Sequence, residues 1–190
     1  LKAKWLVDAS GRASLLKRKL SLAKKVRHNI NAAWFRIAAK INIDDWSQNA
    51  EWQQRNEQSR YLSTNHLYGK GYWTWLIPLS SGSTSIGIVA DERFHAYKSI
   101  NTFEKAREWL KKHEPQCSAM VEENLDYFQD FLALKQFSYS CKQLYSEDGW
   151  CLTGDSGMFL DPLYSPGSDF IGMNNGFITD IISKSLAGQN

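Results

Sequence analysis

Apolar runs of strand length break up the chain, and polar stretches separate them. Ala3 to Val7 is a short apolar run that ends at an Asp-bearing turn, and this pattern predicts a buried strand. Leu15, Leu16, Leu20 and Leu22, with basic residues between them, predict a short amphipathic helix. Asn31 to Ile43 alternates loosely and ends in a strand-like run, and the polar segment after it reads as loop with some helix. The pattern sharpens at "YWTWLIPLS" and "TSIGIVADE", two strand candidates joined by Ser81-Gly82-Ser83, which predicts a hairpin with Pro78 at an edge or near the strand end. Phe103, Ala106, Trp109 and Leu110 share one helical face behind a cap at Asn101 or Thr102. "AMVEENLDYFQDFLAL" predicts one or two further helices, "KQFSYSCKQLY" and "GWCLTGD" predict strands, and "SDFIGMNNGFITDIISKSL" predicts a closing helix.

That order predicts a mixed α/β fold with an inserted antiparallel sheet. The 190 residues suffice for one domain of ordinary size or part of a larger one. The chain starts at Leu1 rather than Met, and its first residues already read as a strand, so it is expected to be an internal part of a longer protein. The net charge of +3 is small, and the basic residues gather between Leu15 and His28. This run reads as a solvated helix face, the alternative being a nucleic-acid patch from Lys17 to Arg27. The three cysteines form no CxxC pair and have no His cluster beside them, so no metal site is expected, and their sparse count fits a reducing cytoplasm. No apolar run has transmembrane length. His28, His66, His95 and His113 are scattered and read as surface residues.

The chemistry concentrates in "WCLTGDSGMFLDPLYSPGSDFIGMNNG", from Trp150 to Gly176. A strand ending in Gly154-Asp155 places a carboxylate where backbone gives way to loop, a position that often faces ligands in α/β folds. Gly154 leaves room for close approach, and Asp155 can accept hydrogen bonds from sugar or ribityl hydroxyls. Pro166-Gly167-Ser168 then opens a helix whose first N–H groups stabilise an anion. From these residues alone, a ligand site and a ligand-free strand, turn and capped helix stand about even.

This stretch resembles the second FAD-binding motif of flavoprotein monooxygenases of the para-hydroxybenzoate hydroxylase type, and within them the flavin-dependent halogenases, with Gly-Asp, Asp-Pro-Leu and a Ser-x-Gly turn into a helix. The resemblance implies that Gly154 and Asp155 bind the ribityl chain, that Pro162 lies beside the isoalloxazine, and that Gly167, Ser168 and Asp169 at the helix start face the flavin N1 and O2 edge. "WLVDASGRASLLKRKL" resembles the middle motif of the same family, which implies that Asp8, Ser10 and Gly11 lie near the FAD phosphates or ribose. "WTWLIP", Trp73 to Pro78, is similar to the WxWxIP signature of the halogenases. Trp73, Trp75 and Ile77 alternate, so they share one strand face, either packing a core or walling a flavin or an aromatic substrate. The family's halide lies against backbone N–H groups of the turn matched by Ser165-Pro166-Gly167, where Pro166 has no N–H to offer.

The resemblance further implies that 1–30 and 146–190 are parts of a partial Rossmann-like FAD-binding domain and that 31–145 form a substrate-binding sheet with helices. The family's GxGxxG and its lysine are then expected upstream of Leu1. By the same resemblance, reduced FAD comes from a partner flavin reductase and reacts with oxygen to a C4a-hydroperoxide. That species oxidises halide or hydroxylates an aromatic or apolar small molecule. A reductase of the geranylgeranyl reductase type on the same fold, and a non-enzymatic basic binding module, are the alternatives.

Overall fold

The computed structural model describes residues 2–189; Leu1 and Asn190, the outer ends of the expected domains, lie outside the described residues. The chain forms two units, Leu1–His28 with Phe137–Asn190, and Asn29–Gln136. The chain thus returns to the first unit at Phe137, earlier than the boundary at 146 expected from the sequence.

In the first unit, β1 (Leu6–Asp8) runs parallel to β10 (Trp150–Leu152), with Leu6 opposite Trp150 and Asp8 opposite Leu152. β10 pairs antiparallel with β9 (Tyr145–Ser146), and β2 (Ala23–Lys24) pairs with β8 (Ser140–Cys141). β1 is shorter than the apolar run from Ala3 predicts and starts only at Leu6. α1 (Leu15–Lys19) follows β1, and α5 (Pro166–Leu186) closes the unit. Pro166 is the first residue of α5, where its fixed φ suits a helix and its missing N–H breaks no intrahelical bond.

The second unit is built on an antiparallel sheet in the order β4 (Asn65–Gly69), β5 (Tyr72–Pro78), β6 (Thr84–Asp91), β3 (Ile30–Ile37), β7 (Phe128–Leu134). The predicted hairpin is β5–β6, closing with Pro78 opposite Thr84 at the strand end, where a missing N–H costs the ladder least. Side chains alternate across each strand. Ala33, Phe35, Ile37, Leu76, Ile86 and Ile88 pack one face against Ala106, Trp109 and Leu110 of α3 (Phe103–His113) and Cys117 and Val121 of α4 (Pro115–Glu123). Thr102 caps α3 by accepting the Lys105 N–H.

Three sequence expectations are corrected here. "FQDFLAL" is not helical: Phe128–Leu134 is the strand β7, laid antiparallel on β3. Its period is two, with Phe131 and Ala133 turned to the core, and pairing with β3 overrides the helical reading. The basic run is not uniformly a solvated face either, because Lys17 is only 4% exposed while Leu15 is 66% exposed. Nor are His95 and His113 isolated on the surface. Their rings lie 4.9 Å apart, and each also meets the rings of Tyr72 and Trp109, edge-on except for the tilted pair of His113 and Trp109.

Candidate functional site

Parallel strands place their carboxyl ends side by side. Asp8 therefore ends level with Leu152, and the Thr153 N–H donates to the Asp8 carbonyl at 3.0 Å. The two motifs singled out in the sequence, the first at Asp8 and the second at Gly154-Asp155, meet at this end of the small sheet.

Asp8 is buried, and both its carboxylate oxygens are engaged: one accepts the Ser10 N–H at 2.8 Å, the other the Leu16 N–H at 2.7 Å. Burial alone raises its pKa, but hydrogen bonds from Ser10 and Leu16 and the charge of Lys17 outweigh it and hold the carboxyl below the usual value. Ser10 in turn accepts the Leu15 N–H through its hydroxyl at 3.1 Å. Asp8 and Ser10 thus shape the loop that starts α1. Gly11, with φ +60, turns that loop, and a Cβ there would meet nothing within 4 Å, so the requirement for glycine is conformational.

Asp155 sits in a single 3₁₀ turn, Gly154–Ser156, directly after β10. Gly154 opens the turn at φ +59, in the left-handed region. Three groups pin the turn from behind. The Tyr139 hydroxyl donates to the Asp155 carbonyl at 2.6 Å; the Ser156 hydroxyl is buried within 2.6 Å of the Asp8 and Thr153 carbonyls; and the Lys17 ammonium donates to the Gly157 carbonyl at 3.0 Å.

In front of the turn lies a cavity of about 360 Å³. It is lined by Gly154, Asp155, Pro162, Ser165, Gly167 and Ser168 together with an apolar set that includes Phe159, Phe170, Met173 and Phe177. Of the expected cofactor residues, Gly154, Asp155, Pro162, Gly167 and Ser168 come together here, and Asp169, Asp8, Ser10 and Gly11 are not among the lining residues; of the turn matched to the halide site, Ser165 lines the cavity and Pro166 does not. The apolar lining from α5 escaped the sequence reading, although Phe170, Met173 and Phe177 follow helical spacing. The approach to α5 is strained, because Tyr164 and Ser165 both hold positive φ, at 58 and 53. Asp161 steadies this loop: one oxygen accepts the Leu163 N–H at 3.1 Å, and the other lies 3.7 Å from His28 Nε2.

Trp73 and Trp75 belong to the second unit. They share a face of β5 with ring centroids 5.6 Å apart, and His66 packs edge-on against Trp73. Trp75 lies against Gly87 of β6 and donates its indole N–H to Ser85 Oγ at 3.1 Å.

No family model matches the chain. A 1H-pyrrole-2-carbonyl-(peptidyl-carrier protein) brominase of Pseudoalteromonas luteoviolacea is 30% identical over 198 residues, covering 100% of this chain and 44% of that protein. The flavin-dependent halogenase chlA of Dictyostelium discoideum is 27% identical over 191 residues, covering 96% of this chain and 30% of that protein. The chain therefore spans less than half the length of these curated relatives. Among solved structures, the flavin-dependent brominase Bmp2 matches with a TM-score of 0.75 and 27% identity over 100% of this chain and 45% of its own. The halogenase PltM in complex with phloroglucinol and FAD shares the fold, with a TM-score of 0.77 and 19% identity over 100% of this chain and 39% of its own.

Proposed function

We propose that the chain belongs with the flavin-dependent halogenases and their FAD-dependent monooxygenase relatives, and that the cavity in front of Asp155 receives the isoalloxazine and ribityl part of FAD. One observation carries this reading: the Gly154-Asp155 turn, Pro162 and the first turn of α5 line a single cavity. The volume lies within the usual range for ligand sites, and a mostly apolar wall with a carboxylate and helix-start amides suits a flat ring carrying a polyol chain.

In this reading Asp155 accepts hydrogen bonds from ribityl hydroxyls, and Gly154 keeps the backbone open to them. Pro162 flanks the ring. The Gly167 and Ser168 amides face its N1 and O2 edge, where a helix N-terminus favours negative charge. Asp8, Ser10 and Gly11 act by shaping the loop before α1, and Asp169 adds its charge to the first turn of α5. When bound, FAD supplies the redox chemistry that oxidises halide or hydroxylates a substrate. The chain's part is to bind the cofactor, orient it and screen it from water.

We assign a small aromatic or apolar molecule as the substrate of the whole protein, with the half-buried Trp75 on its aromatic face and the buried Trp73 backing it, and a separate flavin reductase as the source of reduced FAD. Among the described residues no helix is long and apolar enough to cross a membrane. The test is FAD binding by the full-length protein and its Asp155→Ala variant, followed by flavin fluorescence. A loss of affinity of roughly ten-fold or more is expected, the cost of one or two hydrogen bonds to a charged group. Wild-type affinity in the variant would overturn the reading.

Pro166 favours a second reading, in which flavin chemistry proceeds without halide. It occupies the first position of α5, and it has no N–H for an anion. Product analysis with and without chloride or bromide separates the two readings: a halogenated product supports the first, and a hydroxylated product that forms without halide supports the second.

A further inference from the structure

Burying a lysine ammonium costs free energy, offset only as far as its donors and its charge find partners. Lys17 is 4% exposed, donates to the Gly157 carbonyl at 3.0 Å, and holds its ammonium 4.0 Å from the centroid of the Tyr139 ring. Tyr139 stacks on Phe159 and sends its hydroxyl to the Asp155 carbonyl at 2.6 Å. Lys17 thus reaches the Asp155 turn twice, directly at the turn's C-terminal end and through Tyr139 at Asp155 itself.

We infer that Lys17 is a positioning residue, whose ammonium and the Tyr139 ring form a clamp that fixes the Gly154–Gly157 backbone and so aims Asp155 into the cavity. The inference rests on the flavin reading of that cavity and adds the residue that orders it. An ammonium supplies three donors and attracts the ring face by its charge, whereas a neutral side chain of equal length fills the same space and does neither. The α1 segment of the first motif thereby supports the acid of the second, which lies far away in sequence.

The test uses the full-length protein and its Lys17→Met, Lys17→Arg and Tyr139→Phe variants, with Asp155→Ala as the reference. FAD affinity is read by flavin fluorescence, and local order by hydrogen–deuterium exchange of the ligand-free protein. Lys17→Met is expected to weaken FAD binding about ten-fold to a hundred-fold, the range set by hydrogen bonds to a charged group. It should also speed exchange at the Gly157 and Met158 amides and leave Ile30–Ile37 unchanged. Lys17→Arg, which keeps a cation and donors, should recover most of the affinity. Equal losses in the Arg and Met variants, or wild-type affinity in Lys17→Met where Asp155→Ala binds poorly, would overturn the inference. Wild-type affinity in Asp155→Ala would instead overturn the flavin reading. If Lys17→Met does not fold, Tyr139→Phe decides: removal of one hydroxyl must weaken FAD binding several-fold and loosen the same amides, and an unchanged variant sinks the clamp.

Discussion

The indole of Trp75 lies flat across Gly87 of the neighbouring strand, so close that a Cβ on Gly87 would fall 2.1 Å from the Trp75 ring carbon Cζ2. The absent side chain seats the indole, and the indole N–H bond to Ser85 fixes its direction. Gly87→Ala is expected to push the ring off its seat and cost about 1–3 kcal/mol, the usual range for overpacking, measured by chemical denaturation. In a Trp75→Ala background the same change should cost much less, because nothing then occupies the space; an equal cost would show that the clash is not with Trp75.

Asp8 ties the first loop by accepting two backbone N–H groups from inside the protein. Asp8→Ala leaves both amides unpartnered and is expected to destabilise the protein by roughly 2–3 kcal/mol. The folded-state pKa of Asp8 lies below its unfolded value. Its contribution is therefore fully present above the unfolded pKa and is lost as the pH falls through the folded one. Acid titration of stability should show a steeper loss in the wild type than in Asp8→Asn.

Tyr72 gives the opposite sign at alkaline pH. Its hydroxyl donates to Glu114 at 2.9 Å, and burial first, with the Glu114 carboxylate second, pushes its pKa up to about 12. A raised folded-state value contributes stability that is fully present below the unfolded pKa and is lost as pH rises towards 12. Absorbance titration of phenolate should reveal one tyrosine ionising near 12, and Tyr72→Phe should remove that late step. A profile unchanged by the substitution would reject the assignment.

The elements that the sequence foretold are those where local pattern and tertiary position agree. The β5–β6 hairpin is legible because both strands alternate and a Gly-bearing turn joins them. α5 is legible because proline stands at its first position ahead of a long apolar run. β7 is not, since Phe128–Leu134 follows residues of helical pattern and becomes a strand only by lying against β3. In the candidate site, Asp155 and Pro162 can be picked out from their loop, while the burial of Lys17 cannot. Its neighbours Arg18 and Lys19 are exposed, and what it meets, the Tyr139 ring and the Gly157 carbonyl, lies more than a hundred residues away. Tyr139 likewise gains its part only through the bridge to Phe159 and the reach of its hydroxyl.

The parallel pairing of Leu6 with Trp150 joins two stretches that are far apart along the chain. The residues from Asn29 to Gln136 collapse around contacts of their own, whereas the first unit's small sheet needs two distant stretches to find each other. Loop-closure entropy rises only slowly with length, but prior folding of the insert shortens the free tether and brings the two stretches within reach sooner. Refolding should therefore show the inserted sheet gaining protection before the Gly-Asp turn does, making the cavity beside that turn one of the last features the polypeptide acquires.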